Sequence, residues 1–108
     1  MLSERTRVIV PASVARNAAK GLELRKRYGR GGTAVGMGTA RMLARQATVS
    51  LAKVRHIARY FPRHAGDRLD QRDPPSNGWI AWLLWGGYAG RRWAEGVVRR
   101  HDASMRRR

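Results

Sequence analysis

Apolar positions along this chain recur mainly three and four residues apart, the spacing that gathers them on one side of a helix. The clearest stretch is Ala40 to Phe61, which reads as two short helices joined by a turn at Thr48-Val49-Ser50. Leu51, Val54, Ile57, Ala58 and Phe61 form one core-facing stripe, while Arg55, His56 and Arg59 occupy the opposite side with Lys53 on its flank. Ser50 suits the N-cap because its hydroxyl can accept from a free first-turn N–H, and Pro62 predicts the stop. A helix ending in small residues, a Val-Ser turn and a second helix with a basic outer face make the outline of a helix-turn-helix.

The same spacing predicts what lies on either side. Met1 to Val10 holds a short Val8-Ile9-Val10 run with no matching strand elsewhere, so it is expected to be an arm. From Pro11, Val14, Ala15, Ala18, Gly21 and Leu22 predict a first helix whose small residues let a neighbour come close. Gly29 is placed to end it as a left-handed C-cap, and Thr33 to cap the next, in which Gly36 and Gly38 lower helicity and permit a close crossing. Arg41 and Arg45 lie one turn apart on that second helix, within reach of a backbone phosphate.

His64 to Asn77 is polar and broken by Pro-Pro, hence a loop. Ser76 caps the segment Asn77 to Trp85, which is apolar on nearly every side and must be enclosed by the domain or by a partner. Trp79, Trp82 and Trp85 are therefore candidate partner-binding residues as well as candidate core. A last helix is expected from Ala89 to Arg100. The expected fold is all-α, a small bundle of four to five short helices with a helix-turn-helix-like centre. Residues 1–10 would be an arm, 11–100 a single helical domain and 101–108 a basic tail.

Charge narrows the function. With 23 Lys and Arg against 7 Asp and Glu, the formal net charge is +16, which repels itself and attracts a polyanion. Arg far outnumbers Lys, and its planar fork grips phosphate in a bidentate way, although a GC-rich genome would raise Arg content too. The expected partner is double-stranded DNA, with Arg55, His56 and Arg59 facing the groove and Lys53, Arg41, Arg45 and Arg63 beside them. The chain has no cysteine, and its three histidines form no HExxH pattern. Asp67, Asp70 and Asp73 are interleaved with Arg68 and Arg72 and do not follow an EF-hand loop. Neither GxxxxGK[ST] nor GxSxG occurs, so no metal, no cofactor and no enzymatic activity are expected. The longest apolar run, Trp79 to Trp85, is far below the roughly 20 residues that span a bilayer, and no membrane association is expected.

The wording of the chain adds a resemblance. The phrases RGGT, RYFPRH and IAWLLWGG, set within Val10 to Glu95, resemble a small basic module of tailed-phage head-region proteins. That module is similar to the non-catalytic N-terminal part of some prohead serine proteases. This sequence departs from it at Gly38-Thr39-Ala40-Arg41, where family members often carry Ala-Arg-Ala-Arg. The resemblance implies a bacteriophage or prophage origin, in the bacterial host cytoplasm or the virion, and no protease activity. The apolar Trp79 to Trp85 helix motivates a rival to DNA binding, a virion or head-assembly adaptor that docks through it on another phage structural protein or on its own copies.

Overall fold

The structure, a computed structural model, describes residues 3–106. Its elements run β1 (Arg7–Ile9), α1 (Ala12–Tyr28), α2 (Ala34–Arg45), β2 (Thr48–Ser50), α3 (Leu51–His64), α4 (Asn77–Leu84) and α5 (Gly87–Arg106). The mainly α-helical bundle expected from the apolar spacing is what forms.

The short α4 is the hub, touching each of the other four helices. Ile80, Trp82 and Leu84 are fully buried, and Trp85 just past its end is 6% exposed. A helix apolar nearly all round is covered here mainly by the domain itself, with Trp79 and Ala81 left half-buried. Glycines make room for it. A Cβ on Gly21 of α1 would stand 2.7 Å from the Leu84 backbone nitrogen, and one on Gly90 of α5 would stand 2.8 Å from the Trp85 carbonyl. On Gly36 of α2 it would meet the Trp85 indole nitrogen at 3.1 Å. Gly36 thus gives the close crossing expected of it. Gly38 does not, since a Cβ there meets open space.

Caps follow the expected chemistry. Gly29 closes α1 at φ 66°, the left-handed conformation that costs glycine little. The Thr33, Ser50 and Ser76 hydroxyls accept from the backbone N–H groups of Gly36, Lys53 and Trp79.

Four boundaries differ from expectation. The N-terminal arm contains a strand, β1, which pairs antiparallel with β2 in the register Arg7↔Ser50, Val8↔Val49, Ile9↔Thr48. The residues read as a bare turn are therefore its partner, and Val8 and Val49 pack together into the core from the two strands. Pro62 sits exposed in the last turn of α3, which continues to His64. The expected tail is helical through Arg106, with His101 buried; its last residues, Arg107 and Arg108, lie outside the described residues, as do Met1 and Leu2 of the arm. The helix–connection–helix order at the centre is present, but α2 lies along α1 and α3 along α5. The two helices meet where Lys53 Nζ of α3 reaches Thr39 Oγ1 of α2, and pack their broader faces elsewhere.

Two glycine substitutions should move stability in opposite directions. Gly38→Ala adds a methyl to open space on a helix and should stabilise by about 0.5–1 kcal/mol. Gly21→Ala gains the same propensity but drives Cβ into the α4 backbone, a cost of about 1–3 kcal/mol, so it should destabilise on balance. Urea denaturation of both variants checks the close α1–α4 approach; stabilisation by both would contradict it.

Candidate nucleic-acid interface

The seven basic residues singled out in the sequence separate into two groups, because α3 is packed on both flanks. Facing α5, Arg55 donates from Nε to Glu4 Oε1 at 2.9 Å and from Nη2 to Asp102 Oδ1 at 3.2 Å. The same Nη2 lies 2.6 Å from His101 Nδ1, which must be the acceptor because guanidinium nitrogens only donate. Arg55 therefore ties the N-terminal segment, α3 and α5 together. The hydrogen bond from Arg55 holds the Asp102 carboxyl below its ordinary range. This corrects its expected place facing a groove.

Facing the opposite flank, Lys53 is drawn inward. Its Nζ donates to Thr39 Oγ1 at 2.7 Å, lies 3.2 Å from His56 Nδ1, and sits 5.5 Å from the Trp85 ring centroid. Burial lowers its pKa. His56 stands edge-on to Trp85, with ring centroids 5.1 Å apart. Burial first, then the positive charges of Lys53, Arg59 and Arg63, push the His56 pKa down. Both residues are half-buried.

Arg59 and Arg63 are exposed on the outer side of α3, one turn apart, and Arg41 and Arg45 are exposed on α2. Among the described residues, none of these four makes an ion pair. Glu4 and Asp102 pair with Arg55 on the α5 flank of α3, Asp67 with His64 in its last turn, and Glu23 and Glu95 with Lys20 and Arg91 on α1 and α5. Among the described residues, Arg59 and Arg63 on the outer face of α3 are left without an acidic partner.

Of the three tryptophans proposed for a partner, Trp82 and Trp85 belong to the core and offer no docking surface. Trp79 is half-buried, with the Arg72 guanidinium carbon 4.2 Å from its ring centroid and the exposed Tyr88 ring 6.4 Å away. The physical reason is the enclosure of α4 by its own domain.

Two arrangements were not anticipated. Arg92 and Arg99, expected around the last helix, are joined by Arg106 at seven-residue intervals, all three exposed along one side of α5. Tyr60 stacks between His64 and Trp85, with centroids 4.3 and 4.5 Å away. Its i,i+4 relation to His64 is the only local signal of that stack.

Compared with known proteins, the chain matches no family model, and neither a curated protein nor a solved structure gives a significant match. No helix among the described residues is long and apolar enough to cross a membrane.

The arginines should behave differently on removal. Arg55→Ala should lower the thermal midpoint, whereas Arg59→Ala and Arg63→Ala should each stay within about 0.5 kcal/mol of the parent, as exposed unpaired positions do. Thermal unfolding followed by circular dichroism makes the comparison. His56 predicts a pH effect. Its pKa in the folded state is below the ordinary 6.5, so the unfolded chain binds the proton more readily. The stability this contributes is complete above 6.5 and is lost as pH falls through 6.5 toward the lowered value. His56→Gln should flatten that part of the stability–pH curve in urea titrations, and an unchanged difference between the two proteins across that window would refute it.

Proposed function

We propose that this chain is a non-catalytic nucleic-acid-binding protein that holds duplex DNA chiefly through its phosphates. The observation that carries the reading is the pair of exposed cations on α3, Arg59 and Arg63, which make no ion pair among the described residues, set in a molecule of net charge +16 whose acids mostly pair with other side chains. Like charges held side by side repel one another, and a polyanion relieves that repulsion while releasing its condensed counterions. Arg41 and Arg45 on α2, and the Arg92, Arg99 and Arg106 stripe on α5, supply further bonds to phosphate. His56 and Lys53 stand behind the row as supports, and Arg55 serves the fold.

The tailed-phage setting, with the host cytoplasm or virion as its place, enters on the sequence resemblance alone. The head-assembly adaptor remains a second reading with a smaller surface, Trp79 and Tyr88 beside Arg72, in place of the whole Trp-rich helix. A protein partner of acidic character would suit that patch.

Binding of labelled duplex DNA across a salt titration tests the proposal. Tight binding at low salt should weaken steeply. Arg59→Ala/Arg63→Ala should weaken it further and make the logarithmic salt slope shallower by roughly 1.8, at about 0.9 for each phosphate that the double variant leaves unneutralised. A double variant with parental affinity and slope would remove α3 from the interface. Absence of any duplex binding at low salt would favour the adaptor.

A further inference from the structure

Between the first turn of α2, the second half of α3 and the end of α4 lies a cleft of about 230 Å³. Thr33, His56, Arg63 and His64 stand around it, and the largely buried Tyr60 and Trp85 form its floor. Tyr60 is 5% exposed, and its hydroxyl is buried without a hydrogen-bond partner. Such groups are uncommon in folded proteins because desolvation is left uncompensated, so an oxygen arriving from a ligand would relieve it. Burial, with the negative charge of Asp67 second, raises the phenol's pKa. The hydroxyl is therefore a donor at any physiological pH.

Three other groups around the cleft donate too, whereas His64 gives its Nδ1 proton to Asp67. His56 Nδ1 faces the Lys53 ammonium, which can only donate, so the imidazole proton sits on the other ring nitrogen. Arg63 is exposed and makes no ion pair among the described residues. The leading backbone N–H groups of α2 have no intrahelical acceptor, and Thr33 Oγ1 serves only Gly36 among them. Among the described residues no carboxylate lines the cleft; the nearby Asp67 is hydrogen-bonded to His64 Nδ1 at 2.7 Å. Donors from α2 and α3 therefore share one recess with the apolar Val35 and Ala81, and among the described residues no carboxylate lines it, a surrounding that suits an oxyanion.

We propose that this cleft seats a terminal phosphate monoester, the phosphorylated end of a nucleic-acid strand. Charge and valence explain the choice of an end. A terminal phosphate presents three free oxygens and a second negative charge to these donors, where an internal phosphodiester presents two free oxygens and one charge. The seat rests on the cleft's geometry; the nucleic-acid carrier rests on the function proposed above.

The test uses the full chain and short oligonucleotides, labelled at the 3′ end, that differ only in carrying a 5′-phosphate or a 5′-hydroxyl. Fluorescence anisotropy should give about tenfold tighter binding of the phosphorylated strand, an order of magnitude appropriate to charge-assisted hydrogen bonds. Tyr60→Phe, which keeps the ring stack, and Arg63→Gln should each reduce that preference to less than about threefold. Arg59→Gln, outside the cleft, should weaken both strands alike. In parallel, inorganic phosphate and a nucleoside 5′-monophosphate are titrated against tryptophan fluorescence, since Trp85 forms part of the floor. Equal affinity for the two strands with no response to the monophosphate overturns the seat and leaves general DNA binding standing. A monophosphate response abolished in Tyr60→Phe, with no strand bound, supports the seat and overturns the nucleic-acid carrier. Inorganic phosphate binding as tightly as the phosphorylated strand overturns recognition of a strand end in favour of free phosphate.

Discussion

Everything in this fold depends on enclosing α4. An eight-residue helix carrying Trp82, Ile80, Leu83 and Leu84 has no polar side to give to water, so four other helices must reach it at once. That is possible in a small chain only if the neighbours come close, and Gly21, Gly36 and Gly90 remove the side chains that would hold them away. Arg30 helps fasten the entry to the helix, donating to Asn77 Oδ1 and the Pro75 carbonyl at 2.7 Å each. The bulky residues sit on one short segment and the small ones on its surroundings. This complementarity sets the relative placement of α1, α2, α3 and α5, and through them the arrangement of charge on the surface.

That arrangement is where fold and function meet. Once α5 is laid along α3, Arg55 faces Glu4, His101 and Asp102, and becomes a clasp between segments far apart in the chain. Once α4 fills the other flank, Lys53 and His56 turn toward Thr39 and Trp85. What remains pointing to solvent is Arg59 and Arg63. The basic side of α3 is thereby split into residues that hold the bundle and cations exposed to solvent, and Arg55 and Arg59, which share one side of the helical wheel, fall on opposite sides of that division.

The helices and their caps were legible because they are local. Ser50, Ser76 and Thr33 precede apolar periodic runs, and each caps the helix it was expected to cap. The β1–β2 pair was not legible, since three residues give too short an alternation to register, and its two halves are separated by α1 and α2. The extension of α5 past Arg100 was hidden for a related reason. A run rich in Arg reads as a solvated tail unless His101 and Asp102 are known to meet Arg55.

The sequence by itself determined an all-α bundle, the positions of its caps, a strongly positive molecule and a Trp-rich helix that had to be covered. Those properties follow from spacing of neighbours along the chain and from summed charge, neither of which needs a third dimension. Only the tertiary structure decided that the covering is internal, that Arg55 is a clasp while Arg59 and Arg63 are free, and that Tyr60 ends at the floor of a cleft among donors. Each of those outcomes turns on a pair of residues brought together from distant parts of the chain, and such pairs are set by how helices pack around α4.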